Sequence, residues 1–79
     1  MDPDDVAALI EKGIADATAT VERPRGVDDD DHLAATVVSP AFEGETVLDR
    51  REMVYDALGE HMTTDINAVE LTTKSPEEL

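Results

Sequence analysis

The chain predicts an α+β two-layer sandwich in the order helix, strand, strand, helix, strand, with both helices on one face of a three-stranded mixed sheet. Three observations carry this prediction. An N-terminal apolar stripe recurs at helical spacing, three later runs alternate apolar and polar residues, and a capped helical segment lies between the second and third of them. With 79 residues, the chain makes one domain, residues 1–79. A chain of this size buries only about 60% of its unfolded surface, so its core is modest.

The first helix opens at Asp2-Pro3-Asp4-Asp5, where Asp2 suits the N-cap, Pro3 the first helical position, and the acids complement the positive helix end. Val6, Leu9, Ile10, Gly13, Ile14 and Ala17 share one stripe, and the helix is expected to run to about Ala15. Thr18 to Arg23 alternates, with Ala19 and Val21 on one face, which predicts a first strand. Pro24, Gly26 and the run Asp28 to Asp31 then make an exposed acidic loop over 24–31. Leu33, Ala35 and Val37 mark the inner face of a second strand ending at Ser39-Pro40. The two strands should pair as an antiparallel hairpin across the acidic loop.

Phe42-Glu43-Gly44 reads as a turn, and Thr46 as the N-cap of a helix with Val47, Arg51, Val54, Leu58 and Met62 on one side. That helix ends or bends near Gly59. A third strand is expected from about Ile66 to Thr73, with Val69 and Leu71 facing one way and Ala68 and Glu70 the other. Pro76 stops it, leaving a tail over 75–79.

The segment from Phe42 to Leu58 resembles the signature of the BolA-like family: aromatic-x-Gly, a hydrophobic pair, Arg-His-Arg, then Val-Tyr. Phe42, Gly44, Val47, Leu48, Arg50, Val54 and Tyr55 fall into that pattern without a gap. Arg51 stands where the family carries His, and Glu52 where the second Arg follows. Asp31-His32-Leu33, running on to Ser39, is similar to the family's Ser-His-Phe strand. Ile66-Asn67-Ala68-Val69 and Lys74-Ser75-Pro76-Glu77-Glu78 match its Ile-His-Ala-Leu and Lys-Thr-Pro-Glu-Glu segments. The resemblance covers roughly residues 32–78 and implies the class II KH-like arrangement.

It also implies an adaptor that partners a monothiol glutaredoxin in iron–sulfur or redox homeostasis, the two proteins sharing a [2Fe-2S] cluster. The family's cluster ligands are the triplet His and a His or Cys in the loop between the first two strands. Here Arg51 offers donors but no lone pair for iron, and the loop holds neither His nor Cys. The expected partnership is therefore a protein–protein contact through the helix bearing Arg50 and Arg51 and through Val69. His32 reads either as a substitute ligand or as a ring that caps its strand. Arg50 and Arg51 read either as contacts to a phosphate, to the acidic edge of a partner or to a bound glutathione carboxylate, or as local pairs with Asp49, Glu52, Glu43 or Glu45. His61 sits at a helix end, where the dipole favours a cation, and carries no assigned role.

The formal charge is -14, from 20 acidic and 6 basic residues. Self-repulsion at that density eases when salt shortens the screening length, which points to a halophilic cytoplasm, such as that of a salt-adapted archaeon. The same acidic excess also serves as a solubility device in ordinary cytosol. Cysteine is absent, which excludes disulfides, thiolate metal sites and cysteine nucleophiles. No apolar run nears the ~20 residues of a membrane span, and the N-terminus lacks a basic start, so a soluble cytoplasmic protein is expected. Asp28 to Asp31 lacks the ligand spacing of an EF-hand and reads as a solvated loop. No nucleophile–base arrangement can be placed, so a non-enzyme without a small-molecule substrate is expected. A BolA-type DNA-binding regulator is the alternative, with Arg50 and Arg51 as its contacts. Six basic residues, few aromatics and no Gly-x-x-Gly loop weigh against it.

Overall fold

The computed structural model describes residues 2–26, 28, 32–61 and 68–79. Helix α1 (Pro3–Gly13) is followed by strands β1 (Thr18–Glu22) and β2 (His32–Val38), a 3-10 turn (Pro40–Phe42), helix α2 (Val47–Leu58), strand β3 (Ala68–Lys74) and a second 3-10 turn (Pro76–Glu78). The strands lie in the order β1-β2-β3. β1 pairs antiparallel with β2, Thr18 opposite Val38 and Glu22 opposite Ala34. β2 pairs in parallel with β3, from His32 opposite Ala68 to Val38 opposite Lys74. The expected α+β sandwich with a mixed sheet is the observed fold.

The N-caps form as the sequence leads one to expect. The Asp2 carboxylate accepts from the Asp4 N–H at 3.0 Å, and Thr46 Oγ1 accepts from the Asp49 N–H at 3.1 Å, each meeting one of the orphan donors of a helix start. α1 stops at Gly13, earlier than Ala15, because Ile14 turns to extended backbone and Asp16 takes a left-handed φ of 53°. Aspartate tolerates that region better than most residues. The break is useful locally, since the Ala15 carbonyl it releases accepts from the buried Ser39 hydroxyl at 2.6 Å.

The core comprises Val6, Ile10 and Ile14 of the first helical stripe, Leu33, Ala35 and Val37 of β2, Phe42, and Val54 and Leu58 of α2. Alternation along β2 buries only one face of the sheet. Gly13 lies where the two helices approach: a Cβ added there would stand 2.6 Å from the Ala57 Cβ. The sheet edges are partly covered. The Ala19 N–H on β1 donates to Glu11 Oε2 at 3.0 Å, and the Thr73 carbonyl on β3 accepts from Arg50 at 3.4 Å. Edge groups occupied in this way are withheld from stray strand pairing.

Besides the earlier end of α1, and of β1 at Glu22 where Arg23 was expected, three details depart from the sequence reading. The turn at Phe42 begins earlier, as a 3-10 turn from Pro40 whose start is capped by Ser39. β3 extends to Lys74, one residue beyond the expected Thr73. The buried face of α2 is formed by Arg50, Val54 and Leu58, whereas Val47 is 66% exposed and Arg51 also faces outward. Met62, Ile66, Asn67 and Asp29 to Asp31, used in the sequence reading, lie outside the described residues.

Candidate partner-binding surface

Thr46 starts α2 in a phase that directs Arg50, four residues before Val54 and eight before Leu58, into the core. Its side chain can follow because the aliphatic stem packs among apolar groups while the guanidinium finds acceptors. Only 7% of Arg50 is exposed. Nε donates to the Glu45 carbonyl at 3.0 Å, and one terminal nitrogen donates to the Thr73 carbonyl at 3.4 Å and to Glu78 Oε1 at 2.6 Å. The guanidinium carbon stands 5.9 Å from the centroid of the Phe42 ring, within cation–π range. Arg50 thus ties together the entry of α2, the end of β3 and the C-terminal turn.

Glu78 completes this tie. Its Oε1 also accepts the Ser75 N–H at 2.6 Å, and its own N–H donates to the Ser75 carbonyl at 3.0 Å. The Ser75 backbone N–H, followed by the Arg50 hydrogen bond, holds the Glu78 carboxyl at a pKa of about 2, below the ordinary 4.5. The expectation that Arg50 meets a partner is therefore revised, because the residue is 7% exposed and its Nε and one terminal nitrogen are engaged inside the molecule. The local acids Asp49, Glu52 and Glu43 are not its partners; Glu78, distant in sequence, is.

Arg51 is different. It is exposed, and it donates to the Tyr55 hydroxyl at 3.2 Å along the helix. Val47 and Leu48, 66% and 67% exposed, lie one turn before it. This outer ridge of α2 combines exposed aliphatic carbon, a guanidinium and a half-buried tyrosine, residue types that anchor protein interfaces.

A second feature lies at the other end of the sheet. A pocket of ≈ 300 Å³ is lined by Pro24, Arg25, His32, Leu33, Ala68, Val69 and Glu70. The parallel register explains why it holds two of the residues singled out in the sequence, since His32 lies opposite Ala68 and Leu33 opposite Val69. Neither Arg50 nor Arg51 belongs to its lining. Arg25, which sequence reasoning passed over, joins His32 there because the hairpin returns its loop to the start of β2.

These residues do not fit a resident iron–sulfur cluster. The lining offers one imidazole, one carboxylate and a guanidinium, the chain has no cysteine, and such clusters take thiolate or paired imidazole ligands. Among the described residues no group of three or more His, Asp or Glu side chains is placed to hold a metal ion.

Two helices and a three-stranded mixed sheet, with a helix ridge and a sheet-end pocket on its surface, define a small α+β domain. The family model described as BolA-like protein matches residues 10–78, and the chain belongs to the BolA-like family. The solved structure of a bolA protein homologue from Coxiella burnetii superposes with a TM-score of 0.85 at 38% identity, covering 99% of this chain and 95% of that one. Protein BOLA1, chloroplastic, of Arabidopsis thaliana is 35% identical over 51 residues, which are 65% of this chain and 32% of that protein. SufE-like protein 1, chloroplastic/mitochondrial, of the same plant is 30% identical over 61 residues, 77% of this chain and 16% of that protein. The chain thus spans a third or less of these two relatives.

Proposed function

We propose that this BolA-like protein is a non-catalytic adaptor that binds a monothiol glutaredoxin, in iron–sulfur or redox homeostasis, by a protein contact in which this chain supplies no complete set of cluster ligands. The observation that carries the reading is the outer ridge of α2, where Val47 and Leu48 are two-thirds exposed beside Arg51. Exposed aliphatic pairs cost solubility and are explained most simply by a surface that is covered in a complex. Arg51 supplies the directional element, a planar fork suited to a carboxylate. Arg50 supports the ridge from beneath, and Val69 with His32 forms a secondary contact at the sheet end.

The test is an amide-resonance titration of labelled protein in molar potassium chloride, first with a monothiol glutaredoxin and then with a short DNA duplex. Shifts centred on Val47, Leu48 and Arg51 with glutaredoxin, weakened at least tenfold by Arg51→Glu and little by His32→Ala, are the expected result. Shifts with DNA alone identify a nucleic-acid regulator instead. Silence with glutaredoxin overturns the proposal.

A further inference from the structure

The face of the sheet turned away from the helices carries three full rows of side chains, read directly from the register, and a shorter fourth row of His32 and Ala68 beyond them. Thr20, Thr36 and Thr72 form the central row. On one side of it lie Thr18, Val38 and Lys74, and on the other Glu22, Ala34 and Glu70. All three threonines of the central row are exposed. Two acids against one base give this face a charge of −1, whereas the chain carries -14. In so acidic a protein, a hydroxyl and methyl surface that has escaped the acidic excess has the composition of an interface centre, where charged residues are depleted.

We propose that this open face is a self-association surface on which a second copy of the chain docks face to face, its strands antiparallel to those of the first. The charges select both the occupant and its orientation. A two-fold axis along the threonine row lays each row of three over the opposite row of the partner. Lys74 of each copy then faces the other copy's Glu70, the Val38 and Ala34 side chains meet, and the threonine rows pack on one another. Rotation about an axis parallel to β2 would instead set Glu22 against Glu70 twice, a like-charge contact. The antiparallel arrangement makes two Lys–Glu pairs and is self-complementary, as a two-fold interface must be. Aligned packing of two twisted sheets is an established geometry for such faces.

The size of the face sets the strength. Three strands about 4.8 Å apart and five positions at about 3.3 Å span only a few hundred Å² per copy, below the roughly 800 Å² per partner of a standard stable interface. Association is therefore weak and concentration-dependent. It is also promoted by salt. Two chains of -14 repel at low ionic strength, while at molar salt the screening length is about 3 Å and only the contact pairs survive.

The proposal is independent of the glutaredoxin reading. Sedimentation equilibrium of the full chain, up to millimolar concentration in low and molar potassium chloride, tests it. The expected result is a reversible monomer–dimer equilibrium, stronger at high salt, weakened about tenfold by K74E or by E70K and restored by the K74E/E70K double exchange. Circular dichroism of each variant confirms folding, since both sites are on the strand surface. A monomer at millimolar concentration in molar salt overturns the proposal. So does a dimer that the double exchange does not restore, or one abolished by Leu48→Asp and indifferent to Lys74→Glu.

Discussion

Replacing Arg50 by methionine keeps most of the buried stem and removes the guanidinium, which isolates the polar tie from the packing. The hydrogen bond to the Glu45 carbonyl, at 3.0 Å, is well formed, and a bond from a charged donor contributes about 1.5–3 kcal/mol. The contact to Thr73, at 3.4 Å, lies near the limit of hydrogen bonding and adds little. The Phe42 ring, at 5.9 Å, is at the outer edge of cation–π range, where about 0.5–1 kcal/mol is reasonable. Leaving the Glu78 pair aside because its carboxylate faces water, the loss comes to about 2–4 kcal/mol. In a domain of this size each kcal/mol moves Tm by roughly 4–8 °C, so a fall of about 8–32 °C is expected.

Thermal and urea unfolding followed by circular dichroism in molar potassium chloride measure this directly, with Arg51→Met as the internal comparison. Arg51 is exposed and, among the described residues, its side chain bonds only Tyr55, so its loss should stay within about 0.5 kcal/mol. Arg50→Lys should fall between, because an ammonium cannot fork between the Glu45 carbonyl and the C-terminal turn. If Arg50→Met and Arg51→Met unfold alike, within about 0.5 kcal/mol of the parent, the guanidinium is no tie and Arg50 returns to the partner surface.

Three further outcomes follow from the same geometry. Because the folded pKa of Glu78 is held at about 2 instead of 4.5, its contribution is complete above about pH 4.5 and is lost as pH falls towards 2; the stability difference between the parent and Glu78→Gln should shrink over that window. Taking the difference matters, since protonating the other acids relieves self-repulsion and acts in the opposite direction. Gly13→Ala should destabilise by about 1–3 kcal/mol despite alanine's better helix propensity, because its Cβ would meet Ala57, and a double-mutant cycle with Ala57→Gly should recover part of that loss. Potassium chloride should raise Tm steadily from millimolar to molar concentrations if the acidic excess is the salt adaptation read from composition; a flat or falling response would retire the halophilic reading.

The positions the sequence reading placed correctly and those it misplaced have different physical origins. Strand β2 was legible because alternation reports burial directly, and Leu33, Ala35 and Val37 are indeed its buried side chains. The α1 stripe and the Thr46 cap were legible for similar reasons, since each depends on neighbours within a few residues. The inner face of α2 was read with the wrong arginine, since Arg51 was set beside Val54 and Leu58 where the buried residue is Arg50. Yet Arg50 is in phase with Val54 and Leu58, and an arginine in the phase of a core stripe is itself a signal. It requires acceptors that the helix cannot supply. Those acceptors come from Glu45, Thr73 and Glu78, and the last two lie 23 and 28 residues away in sequence, beyond any local spacing rule.

The same distinction separates the two halves of the candidate surface. Arg51 could be found on the helix from sequence alone, whereas the pocket joining Arg25, His32 and Val69 depends on the parallel β2–β3 register. That register is a tertiary fact, since parallel strands are joined through a crossover, here containing α2, and no turn fixes their alignment. Burying Arg50 also has a functional consequence. Paired with Glu78 and bonded to the Glu45 and Thr73 carbonyls, Arg50 sets the position of α2 against β3, which leaves Arg51 as the outward cation of the pair and presents Val47 and Leu48 on a fixed scaffold. A substitution at Arg50 therefore alters partner binding through folding, and one at Arg51 through contact; measuring both stability and affinity for each distinguishes the two roles.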